Sequence, residues 1–193
     1  INVRHGLGAG IILNGHLFQG DGGGAGEIGH TVVVPDGGLP CRCGNHGCLE
    51  TVASAQALVK RAQALVRQAR PTLLPRSPQE INLDAIESAF TSGDAAVQQL
   101  VLESGRYIGI AISNLIGALN IQKIVLVGDL TRFGKPWLDV IQETICQDTL
   151  SKLVQDTRVE IGQLDDNGII LGASALLANN YSLLFKRKLP REQ

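Results

Sequence analysis

The chain has 193 residues, of which 44% are apolar and 18% are charged, and its formal net charge is −1. This composition excludes an intrinsically disordered chain, and it offers no broad basic surface for binding a nucleic acid backbone. No apolar run approaches the ~20 residues that span a bilayer, and no charged-then-apolar leader opens the sequence. We therefore expect a cytoplasmic protein without membrane insertion, folded as one domain or two small lobes.

The sequence begins with INVRHGLGAG and contains no methionine. Because a complete translated protein is expected to start with methionine, we expect this chain to be a fragment that starts inside a strand. Residues upstream would then hold part of the function.

The first part of the chain changes from strand patterns to a helix pattern. Asn14–Gly15 between two apolar runs predicts a β-hairpin across residues 8–19, because both turn residues must tolerate positive φ. The run His30–Pro35 predicts a further short strand. From Leu49 onward, apolar residues recur with the helical period of 3.6, which predicts one helix to about Ala69.

The remainder of the chain alternates helices with strands. It predicts helices at residues 81–94, 95–120, 136–150 and 169–185, and strands at residues 122–130 and 158–164. The strand Gln122–Leu130 is an apolar run of the kind found inside a parallel sheet. Hairpin strands followed by strand–helix alternation predict an α/β fold with a mixed β-sheet and right-handed crossovers.

Cys41, Cys43 and Cys48, three of the four cysteines, lie within the eight residues CRCGNHGC. Zinc takes four tetrahedral nitrogen or sulfur ligands, so this cluster predicts a structural zinc site. His30 and His46 compete as the fourth ligand. We favour His30, because His46 lies between cysteines whose backbone would already wrap the ion. Three buried, unligated thiols or a redox pair are the alternatives, although a Cys-x-Cys disulfide is strained.

Two glycines fit the predicted zinc loop, and the fourth cysteine lies apart from it. Gly44 and Gly47 can take the positive-φ turns that let three sulfurs face one centre. Cys146 stands alone on an apolar helix face, and we predict that it is a core residue.

Glu27 and Glu50 flank the predicted zinc site. Glu27 lies three residues before His30, and Glu50 falls in the first turn of a helix, where the helix dipole favours its charge. A metal-bound histidine donates its other ring N–H outward. That donor and the two carboxylate acceptors, Glu27 and Glu50, would together bind vicinal hydroxyls of a ligand. Each glutamate taken alone is the kind of residue that is ordinarily a solvated surface group.

The motifs GEIGH, Gly26 to His30, and CRCGNHGCLE, Cys41 to Glu50, resemble the two-part signature of the ROK family of bacterial sugar-responsive repressors and sugar kinases. The stretches VRHGLGAGII, NLIGALNIQKIVLVG and GASALL extend the resemblance over nearly the whole chain, and the repressor branch is the more similar. The resemblance implies zinc ligands at His30, Cys41, Cys43 and Cys48, and sugar contacts at Glu27, His30 and Glu50.

The resemblance also implies an α/β, ribonuclease-H-like lobe of the actin-like ATPase and sugar kinase type, with a mixed β-sheet and a zinc-binding loop. Residues 1–193 would form the C-terminal effector-binding and oligomerisation domain of a repressor. An N-terminal winged helix-turn-helix, through which alone the protein would bind DNA, and the first lobe would lie outside them. The expected partners are a sugar or sugar-phosphate effector and further copies of the chain, as a dimer or tetramer.

Two stretches depart from the kinase pattern and lead us to expect a protein without enzymatic activity. RHGLGAG, Arg4 to Gly10, places His5 and Leu7 where kinases carry a small-residue phosphate loop. VGDLTRFG, Val127 to Gly134, places the Asp129 carboxylate at a second nucleotide-facing turn, where a negative charge opposes phosphate binding.

Two other functions remain open from the sequence. One is an ATP-dependent sugar kinase whose catalytic aspartate lies upstream. The other is a protein-interaction domain controlled by a transporter or phosphotransferase partner, with the tail YSLLFKRKLPREQ, residues 181–193, as a docking element.

Overall fold

The computed structural model describes residues 1–164 and 167–186, and it divides the chain into two units, Ile1–Ile161 and Gly162–Gln193. The strands of the first unit are β1 Asn2–Val3, β2 Leu7–Gly8, β3 Ile11–Leu13, β4 His16–Phe18, β5 Lys123–Leu126 and β6 Arg158–Ile161. Its helices are α1 Leu49–Ala53, α2 Ala55–Arg67, α3 Leu83–Thr91, α4 Ala95–Leu119, α5 Gly134–Asp148 and α6 Ser151–Val154. The second unit contains α7, Asn167–Lys186.

The strands pair in both senses, which confirms the predicted mixed sheet. β1 runs antiparallel to β2, and β5 runs parallel to β6. A parallel bridge connects β1 to β5, where the Val3 N–H donates to the Val127 carbonyl at 2.7 Å and the Val127 N–H donates to the Ile1 carbonyl at 2.9 Å. β5 therefore lies between β1 and β6, although the four helices α1 to α4 separate β1 from β5 along the chain.

The predicted hairpin is confirmed by the antiparallel pair β3 and β4, in which Leu13 faces His16. Asn14 and Gly15 form the turn with φ values of 52° and 79°. Both residues are thus in the left-handed region that a two-residue hairpin turn requires.

The predicted strand at His30–Pro35 is wrong. His30 ends a short 3-10 turn, Ile28–His30, and Val32 makes only an isolated bridge to Cys48. The next two N–H groups, those of Val33 and Val34, both donate to the single carbonyl of Gly47. A strand ladder needs successive acceptors on a neighbouring strand, and the returning cysteine loop supplies one instead.

The prediction of one continuous helix from Leu49 to Ala69 is also wrong, because the chain breaks at Ser54. Ser54 is extended, with φ −81° and ψ 162°, and its hydroxyl accepts the Ala57 N–H at 3.1 Å as the cap of α2. The Ala55 N–H donates to the Arg4 carbonyl rather than to the preceding turn of helix. A contact between distant parts of the chain has overridden a continuous helical period.

The core is arranged around α4, which packs closely on α5. Trp137 of α5 is completely buried, and its indole N–H donates to the hydroxyl of Ser104 on α4 at 3.3 Å. Gly105 and Gly109 of α4 lie opposite Trp137 and Thr144, where a Cβ on either glycine would approach its neighbour's side chain to 3.2 Å or less. Small residues in α4 therefore permit the close approach of α5.

Cys146 lies on the exposed side of α5, so the prediction that it is a core residue is wrong. The preceding residue, Ile145, takes the inward position and is 2% exposed. One position on a helix corresponds to a rotation of about 100°, which is enough to move a side chain from the core to the surface. Within the described part of the chain, no helix is both long and apolar enough to cross a bilayer.

Candidate functional site

Backbone hydrogen bonds close the cysteine loop into a compact turn. The Cys41 N–H donates to the Asn45 carbonyl at 2.8 Å, and the Gly47 N–H donates to the Leu39 carbonyl at 2.8 Å. Gly44 and Gly47 have φ values of 95° and 71°, as their positions in the sequence predict. The loop then joins α1, in which Glu50 is the second residue.

Four potential metal ligands converge at this loop: His30, Cys41, Cys43 and Cys48, whose ligand atoms all lie within 4.8 Å of one another. The His30 Nδ1 is 3.5 Å from the Cys41 Sγ, and the Cys43 and Cys48 Sγ atoms are 3.6 Å apart. A tetrahedral zinc ion with Zn–S bonds of about 2.3 Å separates neighbouring ligand atoms by ~3.8 Å. The four residues therefore fit a tetrahedral metal ion, and His46, which is exposed, is not part of the group.

The thiols of this cluster are free, and their environments differ. The backbone N–H of Asn45 stabilises the thiolate of Cys43 and holds the pKa of that thiol below its usual value. Burial, reinforced by the neighbouring cysteines, raises the pKa of Cys48 to about 12. A bound cation would supply the positive charge that the buried thiolate of Cys48 lacks.

Glu50 is held beside the cysteine loop by contacts that the sequence analysis did not anticipate. The Nε of Arg42 is 3.1 Å from the Glu50 Oε1, and the Nη2 is 3.5 Å from the Oε2. The Leu7 N–H also donates to the Oε2, at 3.3 Å. The only sequence signal for this arrangement was an arginine placed between two ligand cysteines.

Glu50 and Arg42 line a cavity of about 180 Å³, together with residues that include Cys41, Thr51 and Lys60. His30 and Glu27 do not line this cavity. Glu27 is exposed and precedes the turn Ile28–His30, where its side chain makes no capping hydrogen bond. The two ends of the loop nevertheless meet, because the Leu49 N–H donates to the Thr31 carbonyl at 2.9 Å and the Cys48 thiol donates to the His30 carbonyl at 3.5 Å. Glu27 remains exposed.

The two stretches that depart from the kinase pattern lie against each other. Gly128 has φ 114°, and a Cβ there would lie 2.6 Å from the Arg4 Cγ and 2.9 Å from the Asn2 Oδ1. Asp129 begins a 3-10 turn, Asp129–Phe133, immediately after this glycine. The end of β1 and the turn after β5 thus meet at one junction, where Gly128 lies against the Arg4 side chain and Asp129 follows next in the chain.

Curated relatives include both transcriptional regulators and sugar kinases. The DNA-binding transcriptional dual regulator NagC of Escherichia coli is 36% identical over 177 residues, covering 92% of this chain and 43% of that protein. A glucokinase of Halalkalibacterium halodurans is 33% identical over 180 residues, covering 92% of this chain and 54% of that protein. The chain therefore spans about half the length of the curated relatives that it matches.

The similar solved structures also include both a transcriptional regulator and a sugar kinase. A ROK family transcriptional regulator, a homologue of the E. coli Mlc protein, superposes with a TM-score of 0.76 at 36% identity, covering 83% of this chain and 40% of that one. A ROK family glucokinase from Streptomyces griseus, in complex with glucose and AMPPNP, gives a TM-score of 0.76 at 29% identity, covering 91% and 58%. The fold is that of the actin-like, ribonuclease-H-like sugar kinases. The ROK family profile matches residues 1–180, and this chain therefore belongs to the ROK family.

Proposed function

We propose that this chain is the sugar-sensing effector-binding and oligomerisation domain of a bacterial transcriptional repressor of sugar uptake or metabolism. The observation that carries the proposal is the convergence of His30, Cys41, Cys43 and Cys48 in a loop whose Arg42 contacts Glu50. The similarity to NagC and to the Mlc homologue supports the repressor assignment.

The metal of this site would be zinc, held for structure rather than for catalysis. Three thiols and one imidazole are a zinc ligand set, and four protein ligands leave no open position for a water molecule. Metal binding would order the loop and fix His30. With the Nδ1 of His30 bound to the metal, its Nε2 would carry the proton and would donate outward.

The effector would be a hexose or a hexose phosphate. In this proposal the carboxylates of Glu27 and Glu50 accept hydrogen bonds from sugar hydroxyls, and the Nε2–H of His30 donates one. Two acceptors and one fixed donor match vicinal hydroxyls, each of which can donate and accept. Residues outside this chain would complete the contacts.

The domain would act as a sensor through oligomer geometry. Sugar binding would shift an equilibrium between conformations of a dimer or tetramer, by as much as its affinities for the two conformations differ. DNA would be bound by a winged helix-turn-helix outside these 193 residues. The negative charge of Asp129 at the second nucleotide-facing turn would oppose phosphate binding, which supports a protein without enzymatic activity.

A sugar kinase is the second candidate, and the similarity to two glucokinases favours it. In that case a catalytic aspartate upstream of Ile1 would deprotonate the sugar hydroxyl, and the zinc loop would keep its structural role. Control by a phosphotransferase-system partner is a third candidate. The side chains of residues 181–193, on which that docking prediction rests, lie outside those that the structure describes.

Titration calorimetry of the intact protein tests the leading proposal, with N-acetylglucosamine, its 6-phosphate and glucose as ligands. We expect at least one of them to bind, and we expect the Glu27→Ala, Glu50→Ala variant to lose that binding. An Asp84→Ala variant on the exposed start of α3 is the control. Absence of binding, or equal binding by the variant, would overturn the proposal. An ADP-release assay with glucose and ATP distinguishes the kinase from the other two candidates, because only a kinase would release ADP.

A further inference from the structure

Arg42 connects the predicted metal site to the predicted sugar site. It lies between the metal ligands Cys41 and Cys43, and it makes an ion pair with Glu50 through Nε and Nη2 at 3.1 and 3.5 Å. The side chain of Glu50 is only 15% exposed, whereas that of Arg42 is 76% exposed. A largely exposed arginine therefore partners a largely buried carboxylate.

The surroundings of Glu50 leave Arg42 as the movable member of the contact. On one side the backbone of Leu7 donates to the Oε2, and a Cβ on Gly6 would come within 2.6 Å of the same oxygen. Those contacts come from the β1–β2 turn, which the sheet holds in place. The position of Arg42, by contrast, depends on the loop that the two flanking cysteines form.

We propose that Arg42 is a positioning residue that makes metal binding and sugar binding mutually dependent. Metal bound by Cys41 and Cys43 fixes the backbone on both sides of Arg42, and the guanidinium then holds both oxygens of Glu50 in one orientation. Loss of the metal releases the loop and with it the guanidinium. The coupling is reciprocal, so whatever orders the Glu50 carboxylate also strengthens metal binding.

Zinc affinity provides a test that does not require a sugar. We would measure it by competition with a chromophoric chelator for the intact wild-type protein, Arg42→Gln, Glu50→Gln and the double variant. Each single variant should bind zinc two- to fivefold more weakly, and the double variant should be no weaker than the worse single variant. Arg42→Lys should recover part of the loss, since it restores the charge but not the two-nitrogen contact.

The matched control for the zinc titration is Arg132→Gln. Arg132 makes an ion pair with Asp84 at 2.6 Å, far along the chain from the metal loop, and its removal should leave zinc affinity unchanged. Losses in the Arg42 and Glu50 variants that simply multiply in the double variant would overturn the proposal. So would an unchanged zinc affinity in a folded Arg42→Gln protein, with folding checked by circular dichroism.

The predicted coupling between Arg42 and sugar binding rests on the proposed function, and it is measured in a separate experiment. Saturating N-acetylglucosamine or glucose should raise zinc affinity in the wild type, and this effect should shrink in Arg42→Gln. An equal effect in both proteins would assign the coupling to His30 and overturn the role of Arg42. If neither sugar binds, the proposed function fails, while the zinc cycle still decides whether Arg42 and Glu50 are coupled to the metal.

Discussion

The sulfur atoms of Cys43 and Cys48 lie 3.6 Å apart although one side chain is exposed and the other is fully buried. Cys48 occupies the position before α1 and is completely buried, whereas Cys43 lies on the exposed side of the loop. The cluster of thiols therefore extends from the protein surface into the core. Its chemistry supplies the first two predictions.

Replacement of one ligand should abolish tight metal binding. Cys43→Ser removes a thiolate from a site of four ligands, so we expect zinc affinity to fall beyond the roughly 10–100-fold that loss of an outer hydrogen-bonding partner causes. Elemental analysis and chelator competition measure this loss. The control is Cys146→Ser, because Cys146 is exposed on α5 and should not affect binding. Equal zinc content in the two variants would contradict the assignment of the ligands.

Metal affinity should rise with pH. Burial raises the pKa of Cys48 to about 12, so this thiol is protonated in the metal-free protein at neutral pH and must lose its proton when metal binds. Release of one proton increases affinity about tenfold per pH unit below that pKa. Zinc affinities at pH 6, 7 and 8, corrected for the chelator's own protonation, give the slope. A flat profile would show that no thiol proton is displaced.

Two glycines of the same loop should respond differently to alanine. Both have positive φ, but a Cβ on Gly47 would overlap the Val34 carbonyl, whereas a Cβ on Gly44 meets no atom within 4 Å. Gly44→Ala should therefore cost only the left-handed strain of about 1–2 kcal/mol. Gly47→Ala should displace the loop and lose metal binding. Thermal melting with and without zinc distinguishes them, and similar behaviour of the two variants would contradict the loop geometry.

Asp94 should be a main contributor to stability in the helical part of the fold. Its Oδ1 accepts the N–H groups of Ala96 and Val97, and its Oδ2 accepts the Thr72 hydroxyl at 2.5 Å and the Leu73 N–H at 2.6 Å. Asp94→Ala removes the cap of α4 and leaves those donors unpaired. We expect the free energy of unfolding in urea to fall by about 2–4 kcal/mol.

The contribution of Asp94 should also depend on pH. Burial by itself would raise the pKa of this carboxyl, but the hydrogen bond from the Thr72 hydroxyl and those from the backbone outweigh it, so the pKa lies below its ordinary value of 3.8. The stabilisation is therefore complete above pH 3.8 and is lost as the pH falls further. The difference in the free energy of unfolding between wild type and Asp94→Asn should therefore decrease as the pH falls below 3.8.

Alanine at two glycines of α4 should change stability in opposite directions. At Gly109 a Cβ would lie 2.6 Å from the Cβ of Thr144, so Gly109→Ala should separate α4 from α5 and cost about 1–3 kcal/mol. At Gly117 no atom lies within 4 Å, and alanine should stabilise the helix by about 0.5–1 kcal/mol. Urea unfolding measures both. A Gly109→Ala protein as stable as wild type would contradict the close packing of the two helices.

The local chemistry of the chain was readable from the sequence. The Asn14–Gly15 turn, the positive φ of Gly44 and Gly47, and most helix bounds follow from the conformational range of single residues or from short-range periodicity. The convergence of the cysteines with His30 was also predictable, since three thiols within eight residues have few other uses. These features depend on interactions between residues that are close in the chain.

The features that only the tertiary structure decided depend on residues that are far apart in the chain. The break at Ser54 depends on the Arg4 carbonyl, which accepts the Ala55 N–H. The orientation of Glu50 depends on Leu7 and Arg42, and the exposure of Cys146 depends on the rotation of α5 about its axis. The sequence by itself therefore determined which potential ligands converge at the cysteine loop. The tertiary structure decided how Glu50 is oriented, because the hydrogen bond from the Leu7 N–H requires the β1–β2 turn to meet the start of α1.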